Sequence, residues 1–181
     1  MIDEIILFNE NFVKNEKYKD FITNKYPNKK LAILSCMDTR LTKLLPAALG
    51  LENGDAKIIK NAGGVISHPY GSAVRSILIA IYQLGVTEIM VIGHSDCGVQ
   101  HLDSQKLIDS MIKHGIESSV IENVKASGID LEGWLGGFSN GDAAITNTVQ
   151  CLQSHPLVPK DILIKGFIMD SLTGLLQEVN K

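Results

Sequence analysis

Two rhythms of apolar residues alternate along this chain, and their alternation predicts its architecture. Short apolar runs at 31–35, 56–60, 88–92 and 162–169 have the length of strands, and the continuous run at 88–92 suits a parallel strand buried on both faces. Between them apolar positions recur every three or four residues, as in Leu41, Leu44, Leu45, Ala48 and Leu49, or Val74, Ile77, Leu78, Ile81 and Leu84. That spacing predicts helices. The first ends at Gly50 and tolerates Pro46 only in its first turn or two; the second, over 71–84, is closed by Gly85. A third, through Ala143, Ile145, Val149 and Leu152, is capped by Ser139 or Asn140 and stopped by Pro156 and Pro159.

The remaining segments are less regular. Ile5, Ile6, Phe8, Phe12, Tyr18, Phe21 and Ile22 predict an N-terminal helical arm of one or two helices to about residue 26, with a turn at 27–30. From 98 to 125 the period is helical but more polar, which predicts one or two surface helices broken at His114 and Gly115. Three glycines around Trp134 and Phe138 predict a packed loop over 129–141, and a short helix is expected from Thr173. Strands alternating with helices specify an α/β fold, a mostly parallel sheet of four to five strands flanked by helices. One domain spanning 1–181 is expected, since this length builds one sizeable core.

Composition narrows the function classes. Hydrophobic residues make up 45% and charged residues 20%, the profile of a folded globular protein. A net charge of −3 gives no electrostatic footprint for nucleic acid or an anionic membrane, so neither is an expected partner. No run approaches the roughly 18 to 20 apolar residues of a membrane span, and the first residues are acidic where a secretory signal is basic, so a cytoplasmic location is expected. Three cysteines, Cys36, Cys97 and Cys151, point to metal binding or catalysis rather than a disulfide framework. Cys151 falls on an apolar helix face and is read as core.

Chemistry gathers where strands end. The first strand delivers Cys36, Asp38 and Arg40 at alternate positions; the third delivers His94 and, three residues on, Cys97. Open α/β sheets bind their ligands at the carboxyl ends of strands. Thiolate and imidazole are the common zinc donors, and three protein ligands with one open position make a catalytic site. Cys36, His94 and Cys97 meet that description if the first and third strands are neighbours. A lone buried cysteine is more often a small hydrophobe than a ligand. Two polar clusters at two strand exits would be a costly coincidence without a role.

Cys36-x-Asp38-x-Arg40 followed by His94-x-x-Cys97 resembles the zinc signature of the β-class carbonic anhydrases, in their compact branch. Lys60-Asn61-Ala62-Gly63-Gly64 is similar to the segment that family carries between the two halves, with lysine where arginine is common. The likeness covers about residues 31–100 and extends loosely to 166–170 and 173–174. It implies one Zn²⁺ per chain held by Cys36, His94 and Cys97, an Asp38–Arg40 dyad beside the metal, and reversible hydration of carbon dioxide to bicarbonate and a proton by zinc-bound hydroxide. It also implies a closed state in which Asp38 leaves Arg40 and takes the fourth zinc position, and assembly as a homodimer or a multiple of dimers. Arg40, always charged and fork-shaped, suits both lowering the Asp38 pKa and fixing its direction.

Neighbouring residues receive smaller roles. Gly98 leaves room beside the last ligand and exposes an amide; Asn61, Ala62 and Gly63 line the site or simply form the turn after the second strand. Asp96 is either a turn carboxylate or a shaper of the ligand loop. His68, His101, His114 and His155 qualify for proton transfer by side-chain type alone and are read as surface histidines. Trp134 has no matching context for the regulatory bicarbonate site of one branch. The rival functions are hydrolysis of carbon disulfide or carbonyl sulfide on the same zinc site, and a non-catalytic structural zinc or metal-sensing module. A phosphatase loop is excluded, because it needs five residues between cysteine and arginine and Cys36 to Arg40 has three.

Overall fold

A computed structural model describes residues 1–179. Five strands form one sheet in the order β2-β1-β3-β4-β5, with β1 at Leu31–Cys36, β2 at Ala56–Asn61, β3 at Glu88–His94, β4 at Leu163–Met169 and β5 at Leu176–Glu178. The first four run parallel and β5 pairs antiparallel to β4. The α/β class and the mostly parallel sheet of four to five strands therefore hold. β1 and β3 are hydrogen-bonded neighbours, Ser35 opposite Ile92, so their exits lie side by side. On the other side of β1, Cys36 stands level with Asn61 of β2.

Two helix layers bury the sheet. On one face α3 (Ser72–Leu84) and α7 (Gly141–Ser154) pack Ile77, Ala80, Ile81, Ile145 and Leu152 against Ala32, Leu34, Ile89, Val91 and Ile164. On the other, α2 (Leu41–Ala48) sets Leu41 and Leu45 against Ile33, Ile92 and Met169. Pro46 lies in the second turn of α2, and Gly85, at φ 71°, ends α3 in the left-handed conformation that favours glycine. Asn140 rather than Ser139 caps α7, its Oδ1 accepting from the Ala143 amide at 2.8 Å. A small separate core of Ile108, Ile121 and Leu131 joins α4 (Ser104–Lys113), α5 (Ser118–Ala126) and α6 (Leu131–Leu135). The N-terminal α1 (Ile2–Lys14) buries none of its residues and is followed by a 3-10 turn, Lys17–Phe21. No helix among the described residues is long and apolar enough to cross a membrane.

Four expectations are corrected. The described residues from Thr173 form no helix: Asp170 Oδ1 accepts from the amides of Leu172 and Thr173 and from the Thr173 hydroxyl, which ties the chain into a side-chain-bonded turn before β5. The packed loop at 129–141 contains α6, started by Asp130 accepting from the Gly133 amide, and Trp134 on it is 61% exposed. Cys151 is half-buried rather than core. His155 is buried, its Nδ1 accepting from the Leu157 amide and its Nε2 meeting the Pro69 carbonyl, so hydrogen bonds at both ring nitrogens hold it in place.

Candidate active site

The strand exits bring the sequence-predicted residues together. Cys36 ends β1 and His94 ends β3; the tight turn through Ser95 and Asp96 returns Cys97 towards both. The two sulfurs are 3.9 Å apart, and both lie within 4.8 Å of the donor nitrogen of His94. All three residues are buried. Nδ1 of His94 meets the Ser95 carbonyl at 2.9 Å, which fixes the ring so that Nε2 faces the sulfurs. Nε2 itself is buried without a hydrogen-bond partner. A buried imidazole nitrogen with no partner costs stability unless something binds it. A tetrahedral N/S-preferring metal ion fits this donor set, and among the described residues no other such cluster occurs.

The three donors shift one another in different directions. Burial pushes the Cys36 thiol up, but the His94 imidazole beside it and the backbone amides of Asp38 and Gly63 outweigh that and bring it to about 7. Cys97 stays above the ordinary thiol value because burial dominates, although the amides of Val99 and Gln100 oppose it. His94 is raised by the Cys36 sulfur, against its own burial. A 3-10 turn at Ala62–Gly64 closes over the β1 exit. Gly64 has φ 68°, and a Cβ there would lie 2.8 Å from the Cys36 nitrogen and 3.1 Å from the Ile92 carbonyl oxygen. Only glycine allows this turn to sit across the two strands.

Asp38 and Arg40 form a two-pronged pair beside the donors. Nε and Nη2 of Arg40 donate to the two Asp38 oxygens at 3.0 and 2.9 Å, and the Arg40 backbone amide adds a third bond at 2.9 Å. These bonds hold the Asp38 carboxyl at about 2, below the usual carboxylate range. Oδ2 of Asp38 lies 3.9 Å from His94 Nε2. The outer edge of the guanidinium meets Asp96, through Nη1 to Oδ2 at 2.8 Å and Nη2 to its carbonyl at 2.8 Å.

Other residues are placed less centrally. Gly98 is exposed, and a Cβ added there would meet nothing within 4 Å. Asn61 donates through Nδ2 to the Val65 carbonyl at 2.7 Å and leaves Oδ1 buried and unpaired; Asn61 and Ala62 line a cleft of about 750 Å³ that Trp134 and Phe138 also line. His68 lines the same cleft, whereas His114, at the C-terminal end of α4, meets the Ser110 carbonyl of that helix. Ser171 escaped sequence reading. Its amide donates to Ser95 Oγ at 3.0 Å and so braces the loop between His94 and Cys97, a contact across 76 residues with no local signal.

Known proteins place this constellation in a family. A family model described as carbonic anhydrase matches residues 31–174. The Bacillus subtilis protein named "Putative carbonic anhydrase YvdA" is 43% identical over 178 residues, covering 98% of this chain and 90% of its own. The crystal structure of β-carbonic anhydrase isoform I from Trichomonas vaginalis superposes with a TM-score of 0.89 at 35% identity, covering 99% of this chain and 97% of that one. A carbon disulfide hydrolase of Acidianus sp. is 29% identical over 166 residues, covering 85% of this chain and 79% of its own. The family match opens at the first residue of β1 and closes beyond β4, so it takes in both strand exits and everything they carry, and the chain belongs to the β-class carbonic anhydrase family.

Proposed function

We propose that the protein catalyses the reversible hydration of carbon dioxide to bicarbonate and a proton, with one zinc ion held by Cys36, His94 and Cys97. The observation that carries this reading is the convergence of two sulfurs and the unpartnered Nε2 of His94 beside an ionised carboxylate 3.9 Å away. Zinc bound there supplies Lewis acidity, which makes water acidic enough to furnish a hydroxide nucleophile near neutral pH.

The chain's own residues do the rest. Cys36 and Cys97 give two thiolates whose charge is steadied by the amides of Asp38, Gly63, Val99 and Gln100. Asp38, kept ionised by Arg40, has an Oδ2 lone pair that would accept a hydrogen bond from the nucleophile's O–H and so orient it towards carbon dioxide, without taking its proton. Arg40 holds that carboxylate still and prevents it from turning towards the donors. Gly98 leaves open space beside the last proposed ligand, and Asn61 and Ala62 line the neighbouring cleft from which a small substrate would enter.

A structural zinc module is the weaker reading, because Arg40 holds Asp38 on both oxygens, away from the role of a fourth ligand. Hydrolysis of carbon disulfide or carbonyl sulfide shares every residue named here and is the competing substrate class. The apolar face of α1, with Ile2, Ile5, Leu7 and Phe8 more than 60% exposed, is assigned to a second copy of the chain, giving a homodimer or a multiple of dimers. Three free cysteines accord with a reducing, cytoplasmic setting. The test is Asp38→Ala: zinc content stays at one per chain while kcat for carbon dioxide hydration falls by about 10²–10⁴, the range for a positioned acid–base group. Unchanged kcat with zinc retained removes Asp38 from the mechanism.

A further inference from the structure

Asp96 stands between two of the proposed ligands, yet its side chain is 85% exposed and its backbone lies in the left-handed region at φ 53°. Asparagine, aspartate and glycine are the residues that tolerate this conformation, so a turn role alone explains its identity. Its contacts require more. A guanidinium carries five N–H donors. Two of the Arg40 donors go to Asp38, one goes to Asp96 Oδ2 and one to the Asp96 carbonyl.

The Asp38–Arg40 pair is local, two residues apart on the loop that leaves β1, and by itself ties nothing to β3. Asp96 is 56 residues away from Arg40 in sequence and belongs to the loop that leaves β3. The arginine therefore links the two strand exits, with one carboxylate at its inner edge and another at its outer edge. The left-handed turn aims both the carbonyl and the carboxylate of Asp96 at the same side chain. Behind it the loop is braced independently, by the Ser95 amide on the Met169 carbonyl and the Ser171 amide on Ser95 Oγ. Removal of the Asp96 carboxylate therefore leaves the loop its other supports.

We propose that Asp96 is a positioning residue: it clamps the outer edge of Arg40 so that the inner edge holds Asp38 in the orientation the reaction uses. This rests on the reading of Asp38 given above. The clamp separates from a turn role through glycine. Gly adopts φ 53° without strain, so if Asp96 served the turn alone, Asp96→Gly would be neutral or mildly stabilising.

The experiment compares wild type, Asp96→Gly and Asp96→Asn by zinc content, by kcat and KM for carbon dioxide, and by the ¹⁵N-edited signal of the arginine Nε–H in zinc-free protein. The sequence holds only two arginines, Arg40 and Arg75, so the signal is readily assigned. In Asp96→Gly, zinc is retained, kcat drops about fivefold with KM little changed, as the loss of one exposed ion pair implies, and the Arg40 Nε–H exchanges faster with water. Asp96→Asn, which keeps an oxygen acceptor, falls between the two. Wild-type kcat together with unchanged Nε–H exchange in Asp96→Gly overturns the proposal, as does loss of zinc from that variant. If wild type itself hydrates no carbon dioxide, the proposed activity fails, while the Nε–H comparison in zinc-free protein still decides whether the clamp exists.

Discussion

Cys36, Asp38 and Arg40 fall at alternate places within five consecutive positions and do three different things because the strand ends beneath them. Cys36 is still in β1, buried and turned towards the β3 exit, while Arg40 opens α2 and reaches back over Asp38. The cost of an unpaired carboxylate near two sulfurs is met by the guanidinium, which is why Asp38 titrates at about 2. Its folded-state pKa lies below its unfolded value near 3.9. Its charge therefore stabilises the fold above about pH 4, and that contribution is lost as the pH falls through about 2. Arg40→Gln removes the cause. Urea midpoints of zinc-free protein should rise less steeply between pH 2 and 4 in Arg40→Gln than in wild type, and parallel curves would show that the pair does not depress Asp38.

At this scale the sequence was informative wherever chemistry followed an apolar run. The two clusters Cys36-x-Asp38-x-Arg40 and His94-x-x-Cys97 were legible because a strand exit is a place where polar residues have to justify their burial. The second half of the Arg40 fork was not legible. Asp96 sits in a turn where aspartate is ordinary, and only the three-dimensional neighbourhood of β1 and β3 reveals what it faces.

Among the elements, the strands and the long helices followed from periodicity, since β1, β3, α3 and α7 each bury a face that their spacing declares. The misreadings fell on short segments, where local side-chain bonds outweigh period. Asp170 bonding to Leu172 and Thr173 took the chain out of a helical path, and Asp130 capped a five-residue helix inside glycine-rich sequence. The turn at Ala62–Gly64 makes the most specific claim on its residues. Gly64→Ala would place a methyl group against backbone atoms of Ser35, Cys36 and Ile92 in a left-handed conformation. The conformation alone costs roughly 1–2 kcal/mol, and the overlap adds to it. A lower urea midpoint accompanied by weaker zinc binding is expected; a wild-type midpoint would mean that the turn can lift off the strand exits.

At the scale of the molecule, the N-terminal helix leaves apolar side chains exposed among the described residues. α1 buries nothing, while Ile2, Ile5, Leu7 and Phe8 are exposed, a pattern that monomeric soluble proteins avoid. Sedimentation of the wild type at micromolar concentration should therefore give a dimer or a multiple of it, and Phe8→Glu should shift the population towards monomer. A monomeric wild type would leave α1 to some other partner.

Strand order, by contrast, could not be read from the sequence, because several arrangements of parallel strands bury the same residues equally well. That order is what makes Cys36, His94 and Cys97 neighbours, so the site's existence is a property of the whole fold. The most direct test of the account is zinc stoichiometry combined with stopped-flow kinetics on the same preparation, with carbon dioxide and carbon disulfide as alternative substrates between about pH 7 and 9. One zinc per chain, with carbon dioxide hydration that rises across this window and far exceeds sulfide release from carbon disulfide, is the predicted result. Stoichiometric zinc without hydration, or with carbon disulfide as the faster substrate, would contradict it.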